Sequence, residues 1–581
     1  MLSIAQLSLV LLLVPLVAGI ALVAAGGRVQ RRTALATAIV AGVITFVAAA
    51  LVAAAILPNA PLLYNLLSFG KGALVERLDG FSVYLMLGIA AWVTPVLLWM
   101  TAPRGRVAAA YPTSARPLGL ALLLESVALG AVLLDNVLLI ALCWAGVGFF
   151  AWLMARPQEA LRPSASQEWI DLLLLTLGPI LFVLAMIFPM ASGKTISLYG
   201  MQGHTLFTFW SGALVLVVLS FAAGIYPFII WIRRVAQGVL PEAVGALLLV
   251  LTPLAVALAG RLLSVLTPTG AWPHVQVVGP ATITLNLIPV ILGIVTVIVA
   301  GIVLLFEHDL LVITAMLSTL TIGWCFAAIG ADDNHAIIGL VLLLLVQTLG
   351  IGTLMLVWSS LEWAERDLRL KDLAGLAREM PLHFIALVLA GAALVGVPLF
   401  SGFAAMVTID QALLALGGTS ALAGALVWIG NALALVGVIR LISRALHETT
   451  DDLAAPERAI PARGESLALI IPAALLLIFG IAPELLLIGS AADPGIAVTA
   501  SAMLFGNAGL PGDVTYSAFG FRSGSVLWIP GVLWATAVVA AAVVALSTGL
   551  TGNQATPLPA FAGGEPLPPE DHEPSGEWLD L

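Results

Sequence analysis

Residues 382–416 read LHFIALVLAGAALVGVPLFSGFAAMVTIDQALLAL. The stretch is almost wholly apolar, yet it is much longer than the roughly 20 residues that one helix needs to cross a bilayer. It contains four residues that interrupt helices, namely Gly391, Gly396, Pro398 and Gly402. Two helical pieces joined by a break are therefore expected. A break at membrane depth is tolerated only where protein or a water-filled cavity covers the freed backbone groups, so this stretch predicts a specialised point inside a membrane protein.

The composition of the whole chain indicates the same solvent. Apolar residues make up 61% of the 581 residues and charged residues only 9%, whereas soluble domains carry about 25% charged residues. A soluble protein of this length could not cover its surface with so few charges. In lipid every backbone polar group must be bonded internally, which favours helices. The sequence predicts an all-α, polytopic integral membrane protein and gives no sign of nucleic-acid binding.

About 15 apolar segments are long enough to cross a bilayer. They lie near 4–25, 33–57, 79–101, 117–134, 136–155, 169–190, 207–231, 242–265, 280–305, 309–330, 336–361, 382–416, 419–446, 466–489 and 525–548. The first is interpreted as an uncleaved span, because no basic region precedes it and similar helices follow. A second interruption, at Gly224 and Pro227, makes two in the chain. Paired interruptions of this kind suggest an internal repeat.

The basic residues predict how the chain is oriented. Of the 23 lysine and arginine residues, 18 fall in the odd-numbered connections between the spans. The positive-inside rule places those connections in the cytoplasm. We therefore expect the N-terminus outside and, with 15 crossings, the C-terminus inside, in a membrane that is most simply a bacterial cytoplasmic membrane.

No cofactor or metal site is visible in the sequence. Cys143 and Cys325 both lie in apolar runs without metal-ligand spacing, so they are interpreted as small core residues. We find no phosphate-binding glycine loop and no nucleophile–histidine pairing. The sequence predicts no catalytic residue in this chain.

Several short strings carry a resemblance to a known family. They include RLDGFS at 77–82, Asp135-Asn136, Trp144, TLG at 176–178, Pro227, Trp231, Pro241, Asp309 and Ser318-Thr319; the most specific is DLAGLAREMP at 372–381, with Leu394, Gly396, Pro398 and Gly402-Phe403 after it. In order and spacing, they resemble the antiporter-like, proton-conducting membrane subunits of respiratory complex I and the Mrp cation/proton antiporters. That resemblance implies about 14 core helices in two inverted repeats, each with one broken helix.

The domain organisation follows from the resemblance and the composition. We expect two N-terminal helices in 1–74, an antiporter-like transmembrane core in 75–446, and two further helices with a connecting loop in 447–550. Residues 551–581 hold six acids and no lysine or arginine. This proline-rich acidic tail is expected to be disordered, as a solubilising tail or a docking segment.

The chain departs from the family at the residues that would relay protons. The family's Trp-Glu pair is here Trp144-Ala145, and its lysine before the proline of the broken seventh helix is here Ala222. Family histidine and lysine positions correspond by resemblance to Leu247, Gln347 and Ile351, and the lysine after Gly-Phe is replaced in the run Ala404-Ala405-Met406. All three lysines, Lys71, Lys194 and Lys371, fall in connections. A buried lysine suits proton exchange because desolvation lowers its pKa towards neutrality, so the standard relay is predicted to be lost.

Four carboxylates remain as candidates for an intramembrane proton or ion path. Glu125 lies near the middle of the fourth span, where a charge is costly and function is the default expectation. The alternative is a protonated Glu125 bonded to a neighbouring helix. Asp309 and Glu242 each stand at a helix start, where capping is the plainer role. Asp410 follows the broken segment, and a lone His383 near a span start is expected at the interface.

These observations predict a membrane-arm subunit of a complex I-like (NADH:quinone oxidoreductase-like) or Mrp-type assembly, with the redox chemistry in partner subunits. The expected partners are the lipid bilayer and other membrane-arm subunits. Two alternatives stay open: a stand-alone secondary transporter with inverted repeats, and a structural scaffold of a membrane arm.

Overall fold

The computed structural model describes residues 4–56, 62–100, 115–154, 165–201, 204–236, 241–266, 272–331, 333–363, 366–415, 420–447 and 463–481, apart from a few turn residues, and short strands between 514 and 566. Ten helices in this part of the chain are long and apolar enough to cross a membrane, and five shorter apolar helices accompany them. The all-α, polytopic fold predicted from composition is confirmed.

In the first half of the chain, the described residues form eleven helices. They are α1 (Ile4–Ala25), α2 (Arg31–Ile56), α3 (Gly80–Gly88), α4 (Thr94–Met100), α5 (Arg116–Leu133), α6 (Val137–Met154), α7 (Ala165–Gly193), α8 (Phe209–Ala223), α9 (Ile229–Ala236), α10 (Pro241–Ala246) and α11 (Thr252–Leu266). Two π-helical turns, Ile89–Val93 and Leu247–Leu251, join α3 to α4 and α10 to α11.

The second half continues the bundle. Its helices are α12 (Leu287–Phe306), α13 (Leu310–Ala331), α14 (Asn334–Trp363), α15 (Leu376–Glu379), α16 (Pro381–Val395), α17 (Ser401–Ala415), α18 (Ser420–Leu446) and α19 (Arg463–Ile481). Helices α13 and α14 are almost entirely covered by the other helices. In their most apolar stretches, 100% of the residues of α13 and 94% of those of α14 are buried. They form the centre of the bundle.

Short antiparallel β-hairpins lie in the connections. Strands β1 (Leu62–Phe69) and β2 (Gly72–Leu78) pair after α2, and β3 (His274–Val278) and β4 (Ala281–Thr284) pair before α12. Strands β5 (Val514–Ser517), β6 (Gly520–Ser523) and β7 (Val526–Trp528) form a small sheet. The sequence analysis assigned no strands, because these segments carry no span-length apolar signal.

Both expected breaks are present. Gly224 ends α8 in the left-handed conformation with φ 69°, and Gly396 ends α16 with φ 71°. A Cβ at Gly224 would lie 1.8 Å from the Cδ1 of Ile232, so the tight turn leaves no room for a side chain. Two crossings are therefore each divided into two helical pieces, as the glycines and prolines predicted.

Glycines bring the backbones of the central helices into direct contact. A Cβ at Gly293 of α12 would lie 2.5 Å from the carbonyl oxygen of Gly323 in α13, and one at Gly301 would lie 2.4 Å from the carbonyl oxygen of Gly430 in α18. Small residues commonly mediate such packing in membranes, where close backbone approach replaces the hydrophobic drive. Helix α12 is thus held between α13 and α18.

The DLAGLAREMP segment closes the connection between α14 and α16. Arg366 is buried and pairs with Glu379, and its guanidinium also donates to the carbonyl oxygen of Asp372 at 3.3 Å. Gly375 takes φ 78° and donates its N–H to the carbonyl oxygen of His447 at 2.8 Å. This most specific sequence string is a packed loop that ties α14, α16 and α18 together.

The end of the chain forms a separate unit, residues 531–581. The structure describes only β8 (Phe561–Ala562) and β9 (Glu565–Pro566) within it, an antiparallel pair. The predicted span 525–548 begins with strand β7, and the rest of it lies outside the described residues. The predicted disorder of the acidic tail stays a prediction.

Candidate functional site

Glu125 lies inside the bundle near the middle of α5. Its side chain is 1% exposed, and neither carboxylate oxygen has a hydrogen bond of standard geometry. The Thr94 hydroxyl lies next to the carboxyl group. A carboxylate that carried its charge at this depth would cost several kcal/mol. The structure thus buries Glu125 inside the bundle, on a helix long and apolar enough to cross a membrane.

Glu242 is buried at the start of α10 and faces another carboxyl group. Its side chain is 4% exposed, and its Oε2 atom has no hydrogen-bond partner among the described residues. Glu362, near the end of α14 and 5% exposed, is close enough to interact with Glu242 electrostatically. The sequence analysis allowed a capping role for Glu242 and did not single out Glu362.

Gln347 of α14 forms the centre of a neutral hydrogen-bond network. Its Nε2 donates to the Oγ of Ser318 at 2.8 Å and to the Oγ1 of Thr252 at 3.4 Å. Its Oε1 accepts a short hydrogen bond from the hydroxyl of Thr321. All four side chains are buried. The network joins α11, α13 and α14 near the position where the family resemblance places a histidine.

The two π-helical turns place threonines next to these polar groups. Thr94 directly follows the turn Ile89–Val93, and Thr252 directly follows the turn Leu247–Leu251. The two turns contact each other. Inserted π turns are frequent at functional sites because they rotate the following residues and weaken the local backbone ladder. Thr94 lies beside Glu125 and Thr252 bonds to Gln347, so the two turns that contact each other carry a neighbour of each polar group.

The break between α16 and α17 is closed by side chains of other helices. Asn431 of α18 donates from Nδ2 to the carbonyl oxygen of Val395 at 2.8 Å and to the Sδ of Met406 at 3.1 Å. Its Oδ1 accepts a hydrogen bond from the indole of Trp324 at 2.9 Å. A backbone carbonyl released by the break therefore has a partner inside the protein, as its membrane depth requires.

The break between α8 and α9 is satisfied in a similar way. The backbone N–H of Tyr226 donates to the Oγ1 of Thr296 in α12 at 2.9 Å, and the indole of Trp231 donates to the carbonyl oxygen of Phe221 at 2.8 Å. Ala222, the position of the family lysine, is buried beside this turn. The break is thus held by neutral groups.

Asp309 caps the start of α13, which is the simpler of the two roles that the sequence analysis considered for it. Its Oδ1 accepts hydrogen bonds from the N–H groups of Leu311 at 2.9 Å and Val312 at 3.1 Å, at the start of α13. Burial raises the pKa of Asp309, and these two N–H donors oppose that rise. The residue is only partly buried and lies away from the Gln347 network in sequence and in bonding.

Asp410 and His383 have different surroundings from those of the central acids. Asp410 is half-buried on α17, and its Oδ1 occupies the space over Gly424, where a Cβ would lie 2.4 Å away. His383 is 1% exposed and its Nε2 has no hydrogen bond. The sequence analysis expected His383 at the interface, whereas the structure buries it within the bundle.

The sequence analysis did not predict a cluster of buried charged residues near the hairpin of β1 and β2. Glu76, Arg77, Asp135 and Arg261 are all at most 2% exposed. Asp135 accepts hydrogen bonds from the Ser197 hydroxyl and from the N–H of Tyr199, the latter at 3.0 Å. Charged residues are rare in this chain, and three of these four flank predicted spans while Arg261 lies within one, which is the signal that could have pointed to them.

Electrostatics in this cluster are dominated by burial. Burial raises the pKa of Glu76 from 4.5 to about 7, with the nearby Ser8 hydroxyl opposing the rise. Burial also raises the pKa of Asp135, although its hydrogen bonds and the charges of Arg77 and Arg261 oppose that rise. Arg261 donates to the carbonyl oxygen of Val132 at 2.5 Å and to the hydroxyl of Ser82. Glu76 is therefore a group that can change protonation near neutral pH.

Within the described residues, no cluster of histidine, cysteine, aspartate and glutamate has the arrangement of a metal site. Lys194 follows the end of α7 and is exposed, and Lys371 lies in a short 3-10 turn before α15. Lys71 lies outside the described residues.

These features define a class: a polytopic integral membrane protein with two broken crossings and a set of buried, mostly neutral polar side chains at its centre. Residues 135–429 match the model of the family described as NADH:quinone oxidoreductase/Mrp antiporter, TM. That match covers half of the chain, and the chain belongs to this family. The membership expected from the short strings is confirmed.

Solved structures of similar fold are chains of large membrane assemblies. A chain of the Mrp complex from Dietzia sp. DQ12-45-1b is 17% identical, with a TM-score of 0.74 over 87% of this chain and 98% of that chain. A chain of the membrane-bound sulfane sulfur reductase, an archaeal respiratory membrane complex, is 20% identical, with a TM-score of 0.78 over 97% and 88%.

A chain of respiratory complex I from Thermus thermophilus with bound aureothin is 20% identical, with a TM-score of 0.61 over 81% of this chain and 96% of that chain. At these identities the likeness is one of fold. No curated protein sequence matches the chain.

Proposed function

We propose that this chain is an ion-translocating membrane-arm subunit of a complex I-like or Mrp-like assembly. Its membership of the NADH:quinone oxidoreductase/Mrp antiporter family supports this function. So does a fold shared, over most of the chain, with subunits of three multi-subunit membrane complexes. In this proposal the redox reaction or the driving ion gradient belongs to the partner subunits.

The observation that carries the proposal is the interior polar set. Glu125 of α5, Glu242 of α10 and Gln347 of α14 are all buried, and α4 packs against all three helices. Apolar packing alone would not retain three such groups, because each buried polar group costs free energy unless it is compensated or used. A path that passes protons or ions between these groups, with water between them, gives their retention a reason.

The path differs in chemistry from the lysine-based relay of the family. Where the resemblance places ionisable groups, this chain has Ala222, Leu247 and the amide of Gln347. An amide donates and accepts hydrogen bonds but does not change its charge. We infer that the two carboxyl groups carry the protons and that Gln347 orders the connection, without a charge switch at the centre.

The test uses the assembly from its native membrane. A tagged chain is purified in mild detergent, its partners are identified, and the complex is reconstituted into vesicles with a pH-sensitive dye. E125Q and E242Q are expected to reduce ion uptake severalfold at unchanged assembly. The control is D333N, which changes a half-exposed carboxylate that pairs with His335 at 2.8 Å.

The outcomes separate the three functions. Unchanged uptake in both E125Q and E242Q would remove the proposed path. Flux through the isolated chain without partners would favour the stand-alone secondary transporter. Stable partners together with uptake that is indifferent to every variant in the polar set would favour the structural scaffold.

We also propose the orientation and location that the basic residues indicate, with the N-terminus outside a bacterial cytoplasmic membrane. Labelling single cysteines placed at Lys194 and Lys371 with a membrane-impermeant reagent tests it. The first is expected to react from outside and the second only after the membrane is opened.

A further inference from the structure

A groove runs along the outer side of the bundle between α2 and the segment formed by the first π turn and α4. Its volume is about 400 Å³. One wall consists of Leu35, Ile39, Gly42 and Phe46 of α2, and the other includes Pro95 and Trp99. The lining is almost wholly apolar. Such a groove on a membrane-spanning surface is filled by something other than water.

The groove has a defined floor and a defined cause. Gly42 lacks a side chain where α2 faces α4, and a Cβ there would lie 3.8 Å from Thr94 Cγ2 and 3.8 Å from Leu98 Cδ1. Across from it, the π turn Ile89–Val93 shifts the helix so that small Ala91 and the ring of Pro95 are exposed. The space between the helices therefore results from the small size of Gly42 and Ala91 and from the shift that the π turn imposes on the helix.

Positive charge stands at one end of the groove. Arg32 lies three residues before Leu35 and seven before Ile39, which places it on the same face of α2 as the groove wall. Arg28 precedes it in the turn between α1 and α2, and both arginines are exposed. Because α2 and α4 belong to successive crossings, Trp99 near the end of α4 lies at this same end. Arginine and tryptophan together are typical of the level of the lipid headgroups.

The length of the groove matches one leaflet. From Leu35 to Phe46 the helix rises about 16 Å at 1.5 Å per residue. Half of the hydrocarbon slab of a bilayer is about 15 Å. An apolar ligand with a charged head at Arg32 would therefore reach from the membrane surface to its middle.

We propose that this groove is a binding site for an anionic phospholipid, with one acyl chain between α2 and α4 and the phosphate group held by Arg32 and Arg28. The acyl chain covers the side of Thr94 that faces α2, and Thr94 lies beside Glu125. The site does not depend on the function proposed above.

The experiment measures lipid retention by the purified, delipidated full-length chain with native mass spectrometry. Phosphatidylglycerol and phosphatidylcholine of equal chain length are titrated in parallel. One phosphatidylglycerol molecule is expected to bind more tightly than any phosphatidylcholine. R32E is expected to weaken it at least about fivefold, the effect of about one basic residue at an anionic surface.

A second variant tests the apolar half of the site. G42L fills the groove, and its Cβ makes only ordinary contacts at 3.8 Å, so the backbone need not move. It is expected to abolish retention. The controls are R378E, at an exposed arginine of α15, and V40L, at a residue of α2 that is 57% exposed; both are expected to retain the lipid as the wild type does.

Several results would overturn the site. Equal binding of the two lipids would remove the role of the arginines, and full retention in G42L would remove the groove. Displacement of phosphatidylglycerol by millimolar inorganic phosphate would leave a phosphate site without an acyl chain. A helix of another subunit found between α2 and α4 in the native assembly would assign the groove to that partner.

Discussion

Asn431 donates a hydrogen bond of 2.8 Å to the carbonyl oxygen of Val395, the last residue of α16 before its helix breaks. The two residues belong to different crossings, so one amide of α18 stabilises a gap in another helix. The same side chain also accepts from Trp324. The break is therefore a property of three helices together.

Replacing Asn431 should destabilise the bundle. N431L leaves the Val395 carbonyl and the Trp324 indole without these partners, and each unsatisfied buried group costs about 1–3 kcal/mol. We expect a clearly lower thermal midpoint in detergent. The matched control is T408V, because the Thr408 hydroxyl bonds only to Ala404 of its own helix, at 2.8 Å. Equal midpoints for N431L and T408V would contradict the bridging role.

The glycine that ends α8 should not tolerate a side chain. G224A would place a Cβ 1.8 Å from Ile232 Cδ1 at a φ of 69°, which strains both the packing and the backbone. We expect a severe loss of folded protein, measured as the monodisperse yield in gel filtration. G88A is the control, since nothing lies within 4 Å of its Cβ and Gly88 is helical, with φ −60°. A normal yield of G224A would show that the turn can relax.

The network around Gln347 should separate stability from ion movement. In Q347M the hydroxyls of Thr252 and Thr321 keep bonds to backbone carbonyls of their own helices, at 3.0 Å and 2.8 Å, and only the Oγ of Ser318 loses its donor, so the thermal midpoint is expected to fall less than in N431L. Ion uptake by the reconstituted assembly is expected to fall, because the polar connection is interrupted. T348V, one residue along α14, serves as the control. Wild-type uptake in Q347M would exclude Gln347 from the path.

The buried Glu76 should make stability depend on pH. Its pKa in the folded protein is about 7, raised by burial from 4.5, so the folded state binds the proton more tightly than the unfolded state. The stabilisation is complete below about pH 4.5 and is lost as the pH rises through about 7. The size is at most about 3.5 kcal/mol, for a rise of about 2.5 pKa units at about 1.4 kcal/mol each.

The measurement for Glu76 is the thermal midpoint between about pH 5 and pH 8. The wild type should lose stability towards the higher pH, and E76Q should flatten the curve, because it carries no titrating group at this position. A wild-type curve that rises with pH, or an unchanged slope in E76Q, would contradict the raised pKa.

The sequence predicted the features that depend on residue type along the chain. Apolar length located the spans, and Gly224, Gly396 and their neighbouring prolines located both breaks, because backbone freedom and lost N–H donors act locally. The two π turns have no such local signal: Ile89–Val93 and Leu247–Leu251 read as ordinary apolar helix. Their position is set by packing between distant segments.

The residues of the candidate site also fall into two groups: those evident from the sequence and those that only the fold reveals. Glu125 was found because a carboxylate inside an apolar span is conspicuous by itself. Glu362 and Glu76 were not, because a charge at the edge of a span or in a connection is usually solvated, and only the fold buries them. The hydroxyls around Gln347 were equally hidden, since a threonine or serine in a membrane helix commonly bonds only to its own backbone.

The glycine contacts of α12 bear on how such a protein can work. With Gly293 against Gly323 and Gly301 against Gly430, the backbones of three crossings are in direct contact. A transporter that works by rocking one half of the bundle against the other would have to separate the contacts of α12 with α13 and α18 in every cycle. Backbone contacts of this kind suit a mechanism in which only small groups move: hydroxyls that rotate, a proton that is transferred and the water between them.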